Sequence, residues 1–310
     1  MKNNKNLNIL ITGGTGFVGG HLTKKLESLG HNVYISNTKN YNLYQIKNLY
    51  GLNPVAFDYI FHLAAATKAG EYCLTHMGDQ WVNNQILNTN ILTYWKNHQR
   101  QAKMISIGTS ASYPVELEMR EGNYLIGSPE KDLFTYAMTK RMLLIGQMAL
   151  GQQYGLKWLH FVPSTIYGPG FPEHDHHMII DLIRKIYNGK HHGSDVELWG
   201  DGYQRRELMY IDDAIESILG LLEEEAQIFN LGSSNDLPIR HFAEEISDLI
   251  GYDHNKIFYN TEKYVGVRKR KLEVDKIQQL LLNYCGTSLR DGLSKTIEFY
   301  HNNYGKPKGA

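Results

Sequence analysis

The sequence predicts an α/β fold in which a doubly wound parallel sheet is followed by a smaller C-terminal domain. Short apolar, β-branched runs alternate with helical periodicity through the first half of the chain, a pattern typical of parallel strands joined by helices. A glycine-rich turn follows the first run, and the alternation becomes irregular after Pro163. We therefore assign residues 1–163 to the sheet domain and residues 164–310 mainly to the second domain, with residues 226–233 returning to complete the sheet.

The predicted strands of the first half are short and apolar, and they lie at residues 8–12, 31–36, 57–66, 103–108 and 156–162. The predicted helices between them have helical periodicity, and they lie at residues 17–29, 80–97 and 135–154. The second half has a looser pattern, with helices at residues 178–188, 212–224, 237–250 and 288–304 and one strand at residues 228–232.

Composition restricts the partners and the compartment. The chain has 310 residues, with 32 Lys+Arg and 32 Asp+Glu, so its net charge gives no reason to expect nucleic acid or an anionic membrane. Cys73 and Cys285 are the two cysteines, which fits a reducing compartment without a disulfide framework. Residues 1–8 are polar and lead straight into a strand, unlike a signal peptide, and no apolar run is long enough to span a membrane. We expect a cytoplasmic protein.

The glycine-rich turn is the strongest single motif. Gly13, Gly16 and Gly19 follow a strand and open a helix, the context in which glycines let the backbone approach a dinucleotide pyrophosphate. The helix N-terminus offers free N–H groups to the same anion. Thr15, Phe17 and Val18 complete this predicted site. The motif therefore indicates a Rossmann-type dinucleotide-binding sheet, and the alternative is a purely structural turn.

The end of the second predicted strand bears on the choice of cofactor. An acidic residue at this position normally binds the ribose of NAD. Here the chain reads Ser36-Asn37-Thr38-Lys39, without a carboxylate. Hydroxyls, the Asn37 amide and Lys39 could accept a 2′-phosphate, which favours NADP(H) and leaves NAD(H) possible. In the alternative, this loop is simply solvated and discrimination lies elsewhere.

The chemistry is predicted on the long helix that contains Tyr136 and Lys140. Residues four apart lie on one face of a helix, so both side chains should point the same way. A neighbouring ammonium lowers the pKa of a phenol, and a phenol tuned in this way can exchange a proton with an alcohol or carbonyl oxygen. Thr109 and Ser110 follow a predicted strand, where they could hold a substrate oxygen near Tyr136 or make turn hydrogen bonds.

Together these motifs resemble an extended short-chain dehydrogenase/reductase, and within that family most closely the GDP-L-fucose synthases, which are GDP-4-keto-6-deoxymannose epimerase/reductases. The resemblance covers nearly the whole chain. Its motifs are the glycine-rich turn, Leu63-Ala64-Ala65-Ala66-Thr67-Lys68-Ala69-Gly70, Thr109 four residues before Tyr113, Tyr136-x-x-x-Lys140, Pro163-Ser164-Thr165-Ile166-Tyr167-Gly168-Pro169, Trp199-Gly200-Asp201-Gly202, Arg206-Glu207 with Asp212-Asp213, and Arg268-Lys269-Arg270-Lys271-Leu272.

The resemblance implies a nicotinamide held by the first half and a nucleotide-diphospho-sugar, with GDP favoured, held by the second. Tyr136 would protonate the sugar 4-oxygen as hydride reaches C4, Lys140 would bind the nicotinamide ribose, and Thr109 would take the family's Ser/Thr position. The cofactor would also contact Leu63, Ala64, Ala65, Pro163 and Ile166. The substrate would contact Ser110, Thr165, His177, Arg184, Trp199, Arg206 and Arg270, with Arg206 on the pyrophosphate unless it forms only a surface ion pair. A homodimer would form through the Tyr136 helix and the preceding long helix.

Two departures from the family pattern concern epimerisation. Ala111 stands where the pattern has a cysteine, and Thr165 stands where it has an asparagine. The partner histidine is present as His177, and a histidine alone can act as an acid or base near neutral pH. The resemblance therefore supports reduction at C4, and we predict a ketoreductase that has lost or changed the epimerisation step.

Three alternatives remain open at this point. The same fold could serve an NAD-dependent nucleotide-sugar 4-epimerase, 4-dehydrogenase or dehydratase, although Thr109-Ser110-Ala111 lacks the acidic residue expected of a dehydratase. The second alternative, from another class, is a non-catalytic dinucleotide-binding regulatory protein, against which Tyr136 and Lys140 argue. Glu173-His174-Asp175-His176-His177, with His191 and His192, could ligate a divalent ion, but no second cluster completes a site, so we predict no metal.

Overall fold

The computed structural model describes residues 6–67, 72–173, 176–263, 266–282 and 284–305. Its strands, in chain order, are β1 (Asn8–Thr12), β2 (Asn32–Ser36), β3 (Tyr59–His62), β4 (Lys103–Ile107), β5 (Trp158–Pro163), β6 (Thr165–Tyr167), β7 (Glu197–Trp199), β8 (Arg205–Tyr210), β9 (Gln227–Leu231), β10 (Asp236–Pro238), β11 (Phe258–Asn260) and β12 (Lys269–Arg270). Its α-helices are α1 (Phe17–Ser28), α2 (Tyr72–Thr75), α3 (Met77–His98), α4 (Phe134–Tyr154), α5 (Met178–His192), α6 (Ile211–Gly220), α7 (Ile239–Ile250), α8 (Asp275–Leu280) and α9 (Leu289–Asn303).

The central sheet has six parallel strands in the order β2-β1-β3-β4-β5-β9, which confirms the predicted doubly wound fold. The strand order reverses direction after β2, so right-handed crossovers place α1 on one face and α3 and α4 on the other. Both faces are therefore covered, and Ile9, Leu10 and Ile11 of β1 are fully buried. The carboxyl ends of β1, β3 and β4 meet at one edge, where such sheets bind ligands.

The second half of the chain contains more strands than the sequence suggested. Strand β8 pairs with β10, β12 and β6 in a small mixed sheet, and β7 pairs with β11. Five of these six strands have two or three residues, too few to show periodicity. Strand β9 lies beside β5 at the edge of the central sheet. The division at residue 163 stays a prediction.

Strand β3 is shorter than predicted, because the chain leaves the sheet after His62. The departing segment is held by a helix side chain instead of a strand. The Asn84 amide accepts a hydrogen bond from Ala66 N at 3.0 Å and donates to Ala66 O at 2.9 Å. Residues 63–66 therefore continue beyond β3 as irregular backbone that is hydrogen-bonded to α3. Within the described ranges, no helix combines the length and apolar character needed to cross a membrane.

Candidate active site

The glycine-rich turn is shaped by close backbone contacts. Gly13 has φ +73°, and a Cβ there would lie 2.8 Å from Ala64 N, so only glycine fits. A Cβ on Gly19 would lie 2.1 Å from Gly13 O. Helix α1 begins at Phe17, and Gly16 before it has no side chain that could cap the helix. The first N–H groups of α1 are thus available to an anion such as a pyrophosphate.

The loop after β2 is organised by Asn37. Its Oδ1 accepts hydrogen bonds from the backbone N–H groups of Lys39 and Asn40, both at 2.8 Å. The amide oxygen of Asn37 is therefore used in its own turn, and its role is to shape the loop. Lys39 is exposed at the tip of this turn, next to the strand end where the adenosine ribose binds in this kind of fold.

Three of the predicted catalytic residues come together beyond the end of β4. Tyr136 and Lys140 lie in the first two turns of α4. The Lys140 Nζ donates to Ile107 O, the last carbonyl of β4, at 3.0 Å. The Thr109 hydroxyl is hydrogen-bonded to the phenol of Tyr136 and also accepts from Ala111 N at 3.3 Å. A phenol, a hydroxyl and an amine therefore share one small site.

Burial governs the pKa values of this cluster. It raises the pKa of Tyr136, and the hydrogen bond with Thr109 opposes this shift only in part. It also lowers the pKa of Lys140 to about 8. The expectation that Lys140 would lower the pKa of Tyr136 is therefore wrong for this structure, because desolvation of the phenolate dominates. Tyr136 is a protonated phenol at neutral pH, as a proton donor must be.

A buried polar network behind this cluster was missed by sequence reasoning. The His62 Nδ1 lies 2.7 Å from Thr12 Oγ1, and its Nε2 lies 3.0 Å from Asn88 Oδ1. Asn88 Nδ2 in turn donates to Thr139 O, next to Lys140, at 3.2 Å. Burial lowers the pKa of His62 to about 4, with a smaller contribution from the Lys140 charge. His62 is therefore neutral and links β1 to the catalytic helix.

A second network supports the Thr109 loop. Tyr124 OH accepts a hydrogen bond from Thr109 N and lies 3.4 Å from His160 Nε2. His160 Nδ1 lies 2.6 Å from Ser106 Oγ. A Cβ on Gly108 would lie 2.5 Å from both Tyr124 OH and His160 Nε2, so glycine is required where the loop leaves β4. A sequence signal existed only for the first network, because Gln80, Asn84 and Asn88 repeat every four residues on the buried face of α3.

Two of the predicted substrate residues, Arg206 for the pyrophosphate and Arg270, lie on neighbouring strands of the second sheet. Strands β8 and β12 pair in parallel with Arg206 opposite Arg270. Arg206 Nη1 donates to Arg205 O at 2.8 Å and to Val267 O at 2.9 Å. Arg270 forms an ion pair with Glu130. The two arginines therefore occupy paired positions on adjacent strands, from which their side chains leave the same face of the sheet, and a guanidinium is a group suited to binding a diphosphate.

The remaining predicted substrate residues are more dispersed. Trp199, at the end of β7, is 53% exposed, with Lys263 Nζ 5.9 Å from its ring centroid. Arg184 donates to Asp181 Oδ1 at 3.1 Å and to Glu173 O at 3.2 Å. It therefore connects α5 to the segment that precedes the helix. His177 is the exposed residue just before that helix. Their substrate roles stay predictions.

The other predicted site residues lie in the turn after Thr109 and on the neighbouring strands β5 and β6. Ser110 and Ala111 are buried in the turn after Thr109. Thr165 and Ile166 lie on β6 opposite Leu208 and Met209, and Pro163 pairs with Leu231. Lys68, Ala69, Gly70 and His174 fall outside the described residues. Within the described residues, no group of three His, Cys, Asp or Glu side chains is arranged to hold a metal ion.

A helix N-terminus poised for a pyrophosphate and a Tyr–Lys–Thr cluster at the same sheet edge define a dinucleotide-dependent oxidoreductase. Residues 9–232 match the NAD dependent epimerase/dehydratase family. Because this match spans well over half of the chain, the protein belongs to that family and is one of its enzymes. The resemblance to the extended short-chain dehydrogenase/reductases is confirmed.

Individual relatives cover almost the entire chain. The GDP-L-colitose synthase of Yersinia pseudotuberculosis is 28% identical over 96% of this chain and 98% of its own length. The GDP-L-fucose synthase of Escherichia coli K12 is 25% identical over 97% and 98%, respectively. Among solved structures, a GDP-L-fucose synthetase from Naegleria fowleri bound to NADP has a TM-score of 0.86 at 22% identity, covering 97% of this chain and 94% of that one.

Proposed function

We propose that this enzyme uses NADPH to reduce the 4-keto group of a GDP-linked deoxyhexose or heptose, supplying a sugar for surface polysaccharide. The observation that carries the proposal is the Thr109–Tyr136–Lys140 cluster at the carboxyl end of β4. The relatives support the substrate class, because the names of the colitose synthase and the fucose synthase both specify a GDP-linked sugar. The free thiols of Cys73 and Cys285 fit a cytoplasmic location.

Bound NADPH would supply the hydride that reaches C4. Tyr136 donates its phenolic proton to the sugar 4-oxygen, and burial keeps that phenol protonated until it is needed. The Thr109 hydroxyl, hydrogen-bonded to the phenol, orients the same oxygen. Lys140 would hold the ribose of the bound cofactor, and its positive charge favours loss of the proton from the phenol. Arg206 and Arg270 bind the diphosphate.

The choice of NADPH over NADH rests on the end of β2. Ser36 and Asn37 stand where a carboxylate would repel a 2′-phosphate. The Ser36 hydroxyl donates to a carbonyl of the same loop, and the Asn37 Oδ1 accepts from two of its backbone N–H groups. This loop presents Lys39 to solvent, where an ammonium can pair with a phosphate. The NADP-bound neighbour supports this preference.

The enzyme is expected to oxidise NADPH, and NADH more slowly, when given GDP-4-keto-6-deoxymannose. The reaction is run in D₂O, with NADPH oxidation followed optically and the product analysed by mass spectrometry and NMR. We expect reduction at C4 without deuterium at C3 or C5, because Ala111 has no proton to exchange. Substantial deuterium at either carbon would contradict the loss of epimerisation. Failure to oxidise either cofactor across a panel of GDP-, UDP-, CDP- and dTDP-4-keto-sugars would contradict the proposed function.

We also propose a homodimer built on α3 and α4, which pack against each other. Their outward faces expose Trp81, Val82, Ile86, Met142, Ile145 and Met148, each between 37% and 49%. On each helix these residues recur at helical spacing, so they form one apolar surface. A two-fold axis through such a surface would bury it against its own copy.

Replacing Ile145 with aspartate should convert the dimer to a monomer in analytical ultracentrifugation at micromolar concentration. A charge in the centre of an apolar interface would be desolvated without a partner. Leu29→Asp is the matched control, because Leu29 is 49% exposed and lies beyond the end of α1. A wild-type protein that sediments as a monomer, or an Ile145→Asp variant that remains dimeric, would contradict this interface.

A further inference from the structure

Along the chain, Glu130 lies between Thr109, on the loop after β4, and Tyr136, on α4. The preceding residue, Pro129, forms a bridge with Pro114, which follows the Thr109 loop. The Glu130 carbonyl accepts a hydrogen bond from Leu133 N at 3.2 Å, closing the turn that leads into α4. The backbone at Glu130 is thus connected to the Thr109 loop on one side and to the Tyr136 helix on the other.

The loop before Glu130 is fixed to the same helix. Arg141 in α4 is 4% exposed and donates to Gly127 O at 2.7 Å and to Ile126 O at 3.0 Å. It also donates to Ser112 O at 3.0 Å, beyond the Thr109 loop. Arg141 therefore joins the loop before Glu130 to α4 and to the segment that follows Thr109.

The Glu130 side chain contacts Arg270, one of the two arginines proposed to bind the diphosphate. Its carboxylate pairs with Arg270 Nη2 at 2.5 Å, across 140 residues of sequence, and the two side chains are only 13% and 22% exposed. Arg270 Nε is also buried and has no hydrogen-bond partner among the described residues. Arg270 therefore has donor capacity that Glu130 does not satisfy.

The strand that carries Arg270 is anchored independently of Glu130. Leu272 N donates to the buried carboxylate of Glu207 at 2.9 Å, and Leu272 forms a bridge with Met119. Pairing with β8 fixes Arg270 opposite Arg206. The Glu130–Arg270 pair thus joins a fixed strand of the second sheet to the segment that leads into the catalytic helix.

We infer that Glu130 is a positioning residue that couples the diphosphate subsite to the placement of Tyr136, an inference that rests on the proposed function. In the free enzyme its carboxylate neutralises Arg270 and holds the start of α4 against β12. A diphosphate arriving at Arg206 and Arg270 meets that carboxylate as a like charge in a partly desolvated site, where repulsion is strong. Glu130 therefore weakens nucleotide binding while it improves the alignment of the phenol.

The inference predicts opposite effects on binding and turnover when Glu130 is replaced by glutamine. Glu130→Gln keeps the shape and one acceptor oxygen but removes the charge. We expect the Kd of GDP, measured by calorimetry, to decrease about 3- to 10-fold because repulsion is lost. We expect kcat for the keto-sugar to decrease about 10-fold because the start of α4 is no longer held by a charged pair. A merely structural role would not strengthen GDP binding.

Glu245→Gln is the matched control, because Glu245 also forms an ion pair, with Arg290 at 2.8 Å, and neither residue is assigned to the substrate site. This variant should change neither the Kd of GDP nor kcat for the keto-sugar. Weaker or unchanged GDP binding in Glu130→Gln, or an unchanged kcat, overturns the inference while wild-type turnover still supports the proposed function. A wild-type enzyme that binds GDP but reduces no GDP-4-keto-sugar overturns the proposed function, and the inference with it. Thermal melting confirms that each variant is folded.

Discussion

Replacing Tyr136 with phenylalanine should lower kcat for keto-sugar reduction by about 10²- to 10⁴-fold, the usual contribution of a positioned proton donor. The phenylalanine ring keeps the volume of the side chain, so the KM for the sugar and the melting temperature should change little. The measurement is steady-state NADPH oxidation at saturating sugar, with bound NADPH checked by fluorescence.

Tyr154→Phe is the control for the tyrosine substitution, because Tyr154 lies at the far end of the same helix and is 39% exposed. Its kcat should match that of the wild type. Undiminished turnover in Tyr136→Phe would mean that the proton comes from another group, and the catalytic assignment would fall.

The second large effect is expected from Lys140→Met, which should abolish turnover and yet stabilise the protein at pH 7. Burial lowers the pKa of Lys140 from 10.5 to about 8, a difference equivalent to roughly 3 kcal/mol. Methionine avoids this cost but leaves Ile107 O without its donor, which takes back about 1–2 kcal/mol. We expect a net gain of about 1–2 kcal/mol in the free energy of unfolding.

The pH dependence distinguishes this explanation from ordinary repacking. The folded protein releases the Lys140 proton near pH 8, whereas the unfolded chain holds it until its pKa of 10.5. Between these values the unfolded state binds more protons, so wild-type stability should rise with pH relative to Lys140→Met. Below pH 8 the full cost is present. Urea unfolding at pH 7 and pH 10 measures this difference, and the exposed Lys131→Met is the control. A stability gap that does not narrow between these pH values would contradict the assignment.

The sequence was sufficient where function depends on local spacing. Gly13 and Gly19 are required by contacts within a single turn and its neighbouring strand end, and Tyr136 and Lys140 share a helix face. Such relations follow from backbone periodicity alone. The central sheet was predictable for the same reason, because each of its strands in the first half is an apolar run.

The features of the fold and the site that the sequence did not predict depend on contacts between segments that are distant along the chain. Strand β12 has two residues, both charged, so nothing local marks it as a strand. The pairing of Glu130 with Arg270 joins positions 140 residues apart, and the neutral state of His160 reflects burial that only the folded chain produces. The direction of the Tyr136 pKa shift was mispredicted for this reason, since desolvation is a property of the whole fold.

Helix α3 presents amides on one side and apolar side chains on the other. Asn84 binds the backbone of Ala66 and Asn88 binds the backbone beside Lys140, while Trp81, Val82 and Ile86 are exposed. Helix α3 would therefore join the proposed dimer interface to the backbone beside the catalytic residues. If the proposed dimer forms through the apolar side, its dissociation at low protein concentration is expected to lower the specific activity.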